Sequence, residues 1–258
     1  MGLLINYMSM HLKTRMQYKI SFIFTLITQL LTILVEVFVL KSMFEKFNLL
    51  ESYNIYELYF NFSVVWLGYS LAQMVGRGFD KFTNLIIDGS FDLLLIRPRN
   101  LYIQIIGSDF YYEKITRVLS SLVLFIIGSI NIIPNFTFLK LLVLLLIIIG
   151  SFFMIMSVFI IGATFCFYTI QGIEFINIFT DGTKQIGQYP MGIFYKSVRT
   201  IFTIAIPLTL VNYYPIEYLT GRSNNIILGL LPILAILYLM PAIMIFKFGL
   251  KKYKSSGS

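Results

Sequence analysis

The chain has 258 residues, of which 58% are hydrophobic and only 12% are charged, with a mean hydropathy of +0.83. A soluble domain carries about twice that charged fraction, so the composition excludes a soluble enzyme and indicates an all-α, polytopic membrane protein. A net charge of +8 is then explained by basic residues gathered on one side of a membrane, with no need for nucleic acid. A single Cys166 leaves no internal disulfide or thiolate cluster, and a lone His11 makes a histidine-based metal site unattractive.

Residues 3–19 are modestly polar. Asn6, Ser9, Lys13 and Gln17 form one helical stripe, and Leu3, Tyr7, Met10 and Tyr18 another. With Lys13, Arg15 and Lys19 ahead of the first span, this segment is expected to lie in the cytoplasmic interface, its cations on lipid head groups. The apolar run that follows is too long for a signal peptide, and no small-x-small cleavage site closes it.

The first span is expected at 20–40, with Glu36 about one turn from its outer end. A carboxylate inside a span is a functional candidate by default. Here it lies close enough to the boundary to reach water, which favours a structural role. After a short loop at 41–57, span two covers 58–76 and carries the only tryptophan, Trp66.

The interval 77–117 is the longest charged one. Gly89 is placed to end a helical turn at 83–88, because only a residue without a Cβ enters the left-handed region cheaply. Ser90 is placed to cap a new helix, and Asp92 sits where the helix dipole favours negative charge. Pro98 disfavours helical geometry at Arg97. A helix of about two turns, 91–96, is expected, with Phe91, Leu94 and Leu95 grouped on one side. Framed by Lys81, Arg97 and Arg99, it is the right size to lie against a partner. An ordinary cytoplasmic loop with a solvated charge cluster is the competing reading.

Span three is expected at 118–133. Pro134-Asn135 makes a tight turn, so spans three and four (140–167) should form a helical hairpin. Residues 174–199 mix Asp181, Gly182, Lys184, Tyr189, Pro190 and Lys196, and are expected to form a second cytoplasmic interval. Span five, 200–214, is short and contains Pro207, with Pro215 just after it. Some fifteen residues barely cross a hydrocarbon core, so a broken or re-entrant arrangement through 215–221 is expected. Span six is expected at 225–246, followed by a tail at 247–258 with four lysines. On this layout sixteen of the twenty lysines and arginines fall inside and four outside, which places both termini in the cytoplasm.

No Gly-x-x-x-x-Gly-Lys-Ser/Thr occurs; Gly76-Arg-Gly78 lacks both the spacing and the lysine. Metal-ligand spacings and a Ser/His/Asp trio are missing too. Glu36 is the one acid well inside an expected span, too few for an ion-driven carrier. The pattern suits a conduit worked by something else.

Against this background, Asp88-Gly-Ser-Phe-Asp-Leu-Leu-Leu-Ile-Arg-Pro98 resembles the G-x-L-D-x-x-L-x-R-P segment of permeases in bacterial ATP-binding-cassette exporters of the second type. A second block is similar: Gln188-Tyr-Pro-Met-Gly-Ile-Phe-Tyr195, Arg199, Ile206-Pro207 and Val211-Asn-Tyr-Tyr-Pro-Ile-Glu-Tyr-Leu-Thr-Gly221. Leu250-Lys-Lys-Tyr-Lys-Ser-Ser-Gly257 matches the family's terminal pattern, so the tail is expected to be native. One departure is Cys166-Phe-Tyr-Thr169, where many relatives have a tryptophan after the Phe.

The resemblance implies six spans, an interfacial N-terminal helix, a coupling helix between spans two and three, and an extracellular re-entrant segment before span six. It also implies two separate ATPase subunits, with ATP and Mg bound there and no cofactor in this chain, and a second permease, identical or similar. Gly89, Ser90, Phe91, Asp92, Leu95, Arg97, Pro98 and Arg99 would meet the ATPase, with Asp181, Lys184, Tyr189 and Pro190 as a second contact. Pro207, Asn212, Tyr213, Tyr214, Pro215 and Gly221 would belong to the re-entrant segment. The expected site is the bacterial cell membrane and the expected cargo an amphipathic drug, lipid or small peptide. Two other classes compete: an integral lipid-modifying transferase using Asp181 or Glu174, and a peptide-sensing or immunity scaffold.

Overall fold

The computed structural model describes residues 2–46, 53–169 and 172–254; the side chains of Gly2, Leu3, Arg15 and 172–179 lie outside that description. Of the expected loop at 41–57, residues 47–52 therefore fall outside it, as do the Glu174 side chain and the tail residues 255–258. Among the described residues the secondary structure is helical throughout. Four segments are long and apolar enough to cross a membrane: Lys19–Lys46, Tyr112–Ile132, Phe138–Phe165 and Ile226–Leu250.

Helix α1 (Gly2–Gln17) runs almost directly into α2 (Lys19–Lys46). It lies against α6 (Leu101–Ser108): His11 Nε2 is 3.0 Å from the Gly107 carbonyl, and the Tyr112 hydroxyl donates to the Met8 carbonyl at 2.7 Å. His11 is thus spent on a backbone carbonyl.

The centre of the molecule is α3 (Ile55–Asp80). Its buried residues run from Glu57 to Phe79, with a local break at Gly76 (φ −100°, ψ 20°). Helices α7 (Ile115–Ile132) and α8 (Phe138–Phe165) both pack along it. Small residues make the approach close. A Cβ on Gly68 would sit 2.6 Å from that of Ser151, and one on Gly128 would sit 2.9 Å from that of Phe60. Helices in lipid gain their association from such tight packing, because lipid tails are as apolar as leucine. The hairpin expected of α7 and α8 is one of connection. The turn after Ile132 joins α7 to α8, but each packs on α3 rather than on the other.

Helix α9 (Gly172–Gly187) also packs against α8 and α3, and a Cβ on Gly187 would touch Val65 and Leu208. It is a packed helix within the interval 174–199, where the sequence suggested only a second cytoplasmic segment. Nor do residues 200–214 form one helix. The chain breaks into α10 (Lys196–Ile204), α11 (Thr209–Asn212) and α12 (Tyr214–Leu219). Pro207 has no amide hydrogen to continue α10. The last apolar stretch is likewise segmented, into α13 (Ile226–Leu230), α14 (Pro232–Leu237) and α15 (Leu239–Leu250), with Pro232 starting α14.

Candidate functional site

Three groups of residues stand out: a projecting foot, a buried charge cluster, and a helical hairpin at the far end of the bundle.

The foot consists of α4 (Phe82–Ile87) and α5 (Ser90–Ile96). Gly89 between them has φ 65°, the left-handed conformation that a Cβ would strain. Gly89 itself occupies the N-cap, and the Ser90 hydroxyl donates back to the Leu85 carbonyl at 3.3 Å. Ser90 is therefore the first helical residue and not the cap expected from sequence. Asp92 lies in the first turn, and Arg97 is extended (ψ 133°) ahead of Pro98.

Burial divides α5 in two. Phe91 is fully buried, its ring 4.9 Å from Phe82, 5.7 Å from Phe167 and 5.1 Å from Tyr253. It cannot meet a partner; it anchors the helix. Leu94 is buried beside it. Leu93 and Ile96 face outward, the latter 77% exposed, along with Leu95, Arg97, Pro98 and Arg99. The Tyr253 hydroxyl donates to Asp92 Oδ1 at 3.0 Å. Burial, and then the Asp92 carboxylate, push the Tyr253 phenol above its usual pKa. Cys166 lies under this foot, its Sγ 3.0 Å from Thr83 Oγ1.

The second group sits between α2, α3, α7 and α9. Arg117 Nη2 is 3.1 Å from Glu36 Oε1, and its guanidinium lies 3.8 Å over the Trp66 ring. Lys184 Nζ pairs with Asp181 at 2.9 Å and approaches the rings of Trp66 and Tyr69 at 5.1 and 5.2 Å. Glu36 thus has the structural partner that a carboxylate in an apolar helix needs. The faces of Trp66 and Tyr69 are already taken by the chain's own cations. Asp181, proposed for a transferase, is occupied by Lys184.

The third group lies at the opposite end from the foot. Helix α10 and α11–α12 fold back as a hairpin around Ala205–Leu208. Leu208 reaches the Gly187–Val65 contact, well down α3 from its Ile55 end, and the Ala205 carbonyl accepts from the Tyr238 hydroxyl at 2.6 Å. Asn212 Nδ2 donates to the Gly187 carbonyl at 3.0 Å. Tyr213 accepts from Arg199 at 3.0 Å, and its ring meets Tyr214 at 5.2 Å. Pro207 is buried, Pro215 lies in the first turn of α12, and Gly221 (φ 78°) turns the chain after it. Arg222 then clasps Glu57 at the start of α3 at 2.8 and 2.9 Å.

The expected second contact does not join the foot. The Tyr189 hydroxyl is 3.2 Å from Met43 Sδ near the end of α2, and Pro190 lines a space with Tyr53 and Arg222. Both lie near the hairpin end. Asp181 and Lys184 sit between the ends, in the charge cluster. Arg117, Trp66 and Tyr253 were not singled out for any role from sequence. A helical stripe at Lys196, Arg199, Thr200 and Thr203 was the available signal for α10.

Both described ends of the chain lie with the foot: α1 packs on α6, and Tyr253 packs on α5. Among the described residues no group of His, Cys, Asp or Glu is arranged to hold a metal ion. A helical membrane protein with an anchored foot at one end and a folded-back hairpin at the other is the class these features define. The family model for ABC-2 family transporter proteins matches residues 30–257, and the chain belongs to that family. No curated protein and no solved structure matches it. ABC-2 permeases are multi-pass membrane components that work with ATPase subunits.

Proposed function

We propose that this chain is the permease subunit of an ATP-driven exporter, moved by a separate ATPase that grips the outward ridge of α5. The observation that carries this reading is the division of α5. Phe91 and Leu94 fix the helix to the bundle, while Leu93, Ile96 and the Arg97–Arg99 corner stay uncovered beside it. A rigidly held, half-apolar ridge transmits a push to the chain at the end of α8 and to α15 through the Phe82–Phe167–Phe246 contacts, and on to α3 through Phe79–Phe246. ATP and Mg belong to the ATPase, two copies of which serve a pair of permeases, identical or similar. Alternation between two states then needs only differential binding of ATP to them.

In this reading there are six crossings. The four long apolar helices are joined by α3 and by α9, with the chain from Gln188 to Ile193 completing the fifth. The hairpin 196–219 is the re-entrant outer element. The foot and both termini face the cytoplasm of a bacterial cell. Moving Lys196 and Arg199 to the outer end leaves thirteen basic residues inside and six outside, with Lys184 between, so the charge bias keeps its sign. The cargo is amphipathic: a drug-like compound, a lipid or a small peptide.

The test is assembly. Leu93→Glu with Ile96→Glu should abolish co-purification of the ATPase while leaving the chain's thermal unfolding unchanged. Full retention of the ATPase by that variant contradicts the docking role of α5.

A further inference from the structure

The polar space with the clearest chemistry outside the foot lies within the hairpin. A cleft of about 260 Å³ separates α10 from α11–α12, with Lys196, Arg199, Thr200 and Thr203 on one wall and Tyr213 and Glu217 on the other. The first four recur at i, i+3, i+4 and i+7, a single stripe along α10. The other side of the same helix carries Ile201 and Ile204, 59% and 73% exposed. A helix that turns its polar stripe inward and its isoleucines outward is built for an apolar surrounding with a polar chamber behind it.

The chamber has a floor and a fixed cation. Thr203 Oγ1 meets Thr209 Oγ1 at 2.8 Å, closing the cleft beside the hairpin apex. Arg199 Nη1 donates to the Tyr213 hydroxyl at 3.0 Å, which holds the guanidinium against that wall. Among the described residues neither Arg199 nor Lys196 has a carboxylate in ion-pair range. Two cations and one carboxylate, Glu217, therefore line one space large enough for a small polar group, with the Tyr213 hydroxyl between Arg199 and Glu217.

We propose that this cleft binds the head group of a zwitterionic phospho-amphiphile. Its phosphate is taken by Arg199 and Lys196, since guanidinium and ammonium donors match phosphate oxygens, and its ammonium is taken by Glu217. Glu217 disfavours a plain anion, and Arg199 with Lys196 disfavours a plain cation; a joined phosphate and ammonium satisfies both walls. The acyl chain leaves past Ile201 and Ile204 into hydrocarbon. The proposal adds a ligand site to the transport role and is read by binding alone, so its failure is separable from a failure of ATP-driven export.

The experiment uses the purified full-length chain in a neutral detergent. It is titrated with lysophosphatidylethanolamine, with a monoacylglycerol of the same chain length, and with inorganic phosphate, and followed by native mass spectrometry and thermal unfolding. Lysophosphatidylethanolamine should bind and raise Tm, with the other two at least about tenfold weaker. Lys196→Gln with Arg199→Gln should weaken it by about tenfold or more, and Glu217→Gln should remove its advantage over lysophosphatidic acid titrated in the same way. Lys196 is exposed with no side-chain bond to lose, so Lys196→Gln alone serves if the double variant melts early. Equal binding of the monoacylglycerol overturns the proposal. So does tight binding of phosphate alone, or binding untouched by Lys196→Gln.

Discussion

The phenol of Tyr253 donates to a carboxylate oxygen of Asp92 over 3.0 Å, tying the chain beyond α15 to the helix that forms the foot. Because the same ring packs on Phe91 and Phe167, the tail and the end of α8 hold α5 together. Tyr253→Phe keeps the ring and loses the hydrogen bond, a cost of about 1 kcal/mol. Its pH dependence has a definite sign. The folded-state phenol pKa is raised, so the contribution is complete below the ordinary value of 10 and is lost as pH rises through the raised one. Hydrogen exchange along 250–254, corrected for its intrinsic pH dependence, should show constant protection from pH 7 to about 10 and a fall above it. In Tyr253→Phe that fall should vanish.

Anchor and ridge can be separated by mutation. Phe91→Ala empties a fully buried aromatic site and should cost about 3–5 kcal/mol in stability, seen as a lowered Tm in detergent. Ile96→Glu, on a residue 77% exposed, should leave the stability within about 0.5 kcal/mol of the parent. Charge reversal at Asp92 is a poorer probe of docking, because it also removes the acceptor of Tyr253.

The ion pair of Glu36 and Arg117 should behave as a buried pair does. The Arg117 side chain is 7% exposed, so Glu36→Ala leaves a nearly buried guanidinium without its counter-charge. The expected loss is about 3–5 kcal/mol, with Arg117→Met alone costing a similar amount. Glu36→Ala with Arg117→Met should cost less than the two single losses summed, because neither charge is then stranded. Additive losses in a double-mutant cycle would show that the two residues act independently.

Glycines divide in the same way. A Cβ on Gly78 would run into the Ile105 carbonyl of α6, and backbone there cannot step aside cheaply. Gly78→Ala should cost about 1–3 kcal/mol, as overpacking does. Gly182 has open space around its missing side chain, so Gly182→Ala should be neutral or stabilise α9 by up to about 1 kcal/mol. Thermal unfolding of both variants in one detergent checks the contrast.

Local punctuation was readable from sequence where backbone chemistry decides it. Gly89 adopts the left-handed conformation, and α5 stops at Ile96 with the extended Arg97 ahead of Pro98, because these follow from the absence or presence of a ring or a Cβ. Which face of α5 turns inward was not readable. The spacing groups Phe91, Leu94 and Leu95, yet Leu95 is 41% exposed and Leu93 exposed with it; the aromatic neighbours that capture Phe91 come from residues 82, 167 and 253. Helix α9 was hidden for a related reason. Hydropathy counts Thr180, Asp181, Thr183 and Lys184 as seekers of water, whereas the fold sets Lys184 over Trp66 and Tyr69 and buries Thr180 and Thr183. Once α9 is packed, Tyr189 and Pro190 are carried away from the foot.

The central claim, an ATPase gripping the foot and never the hairpin, is tested most directly by site-specific crosslinking. Cys166 is the only cysteine, so a Cys166→Ser background accepts one probe at a time. Ile96→Cys on α5 should crosslink to the co-expressed ATPase, and Ser197→Cys on α10 should not. Crosslinks from position 197 with none from position 96 would contradict the account.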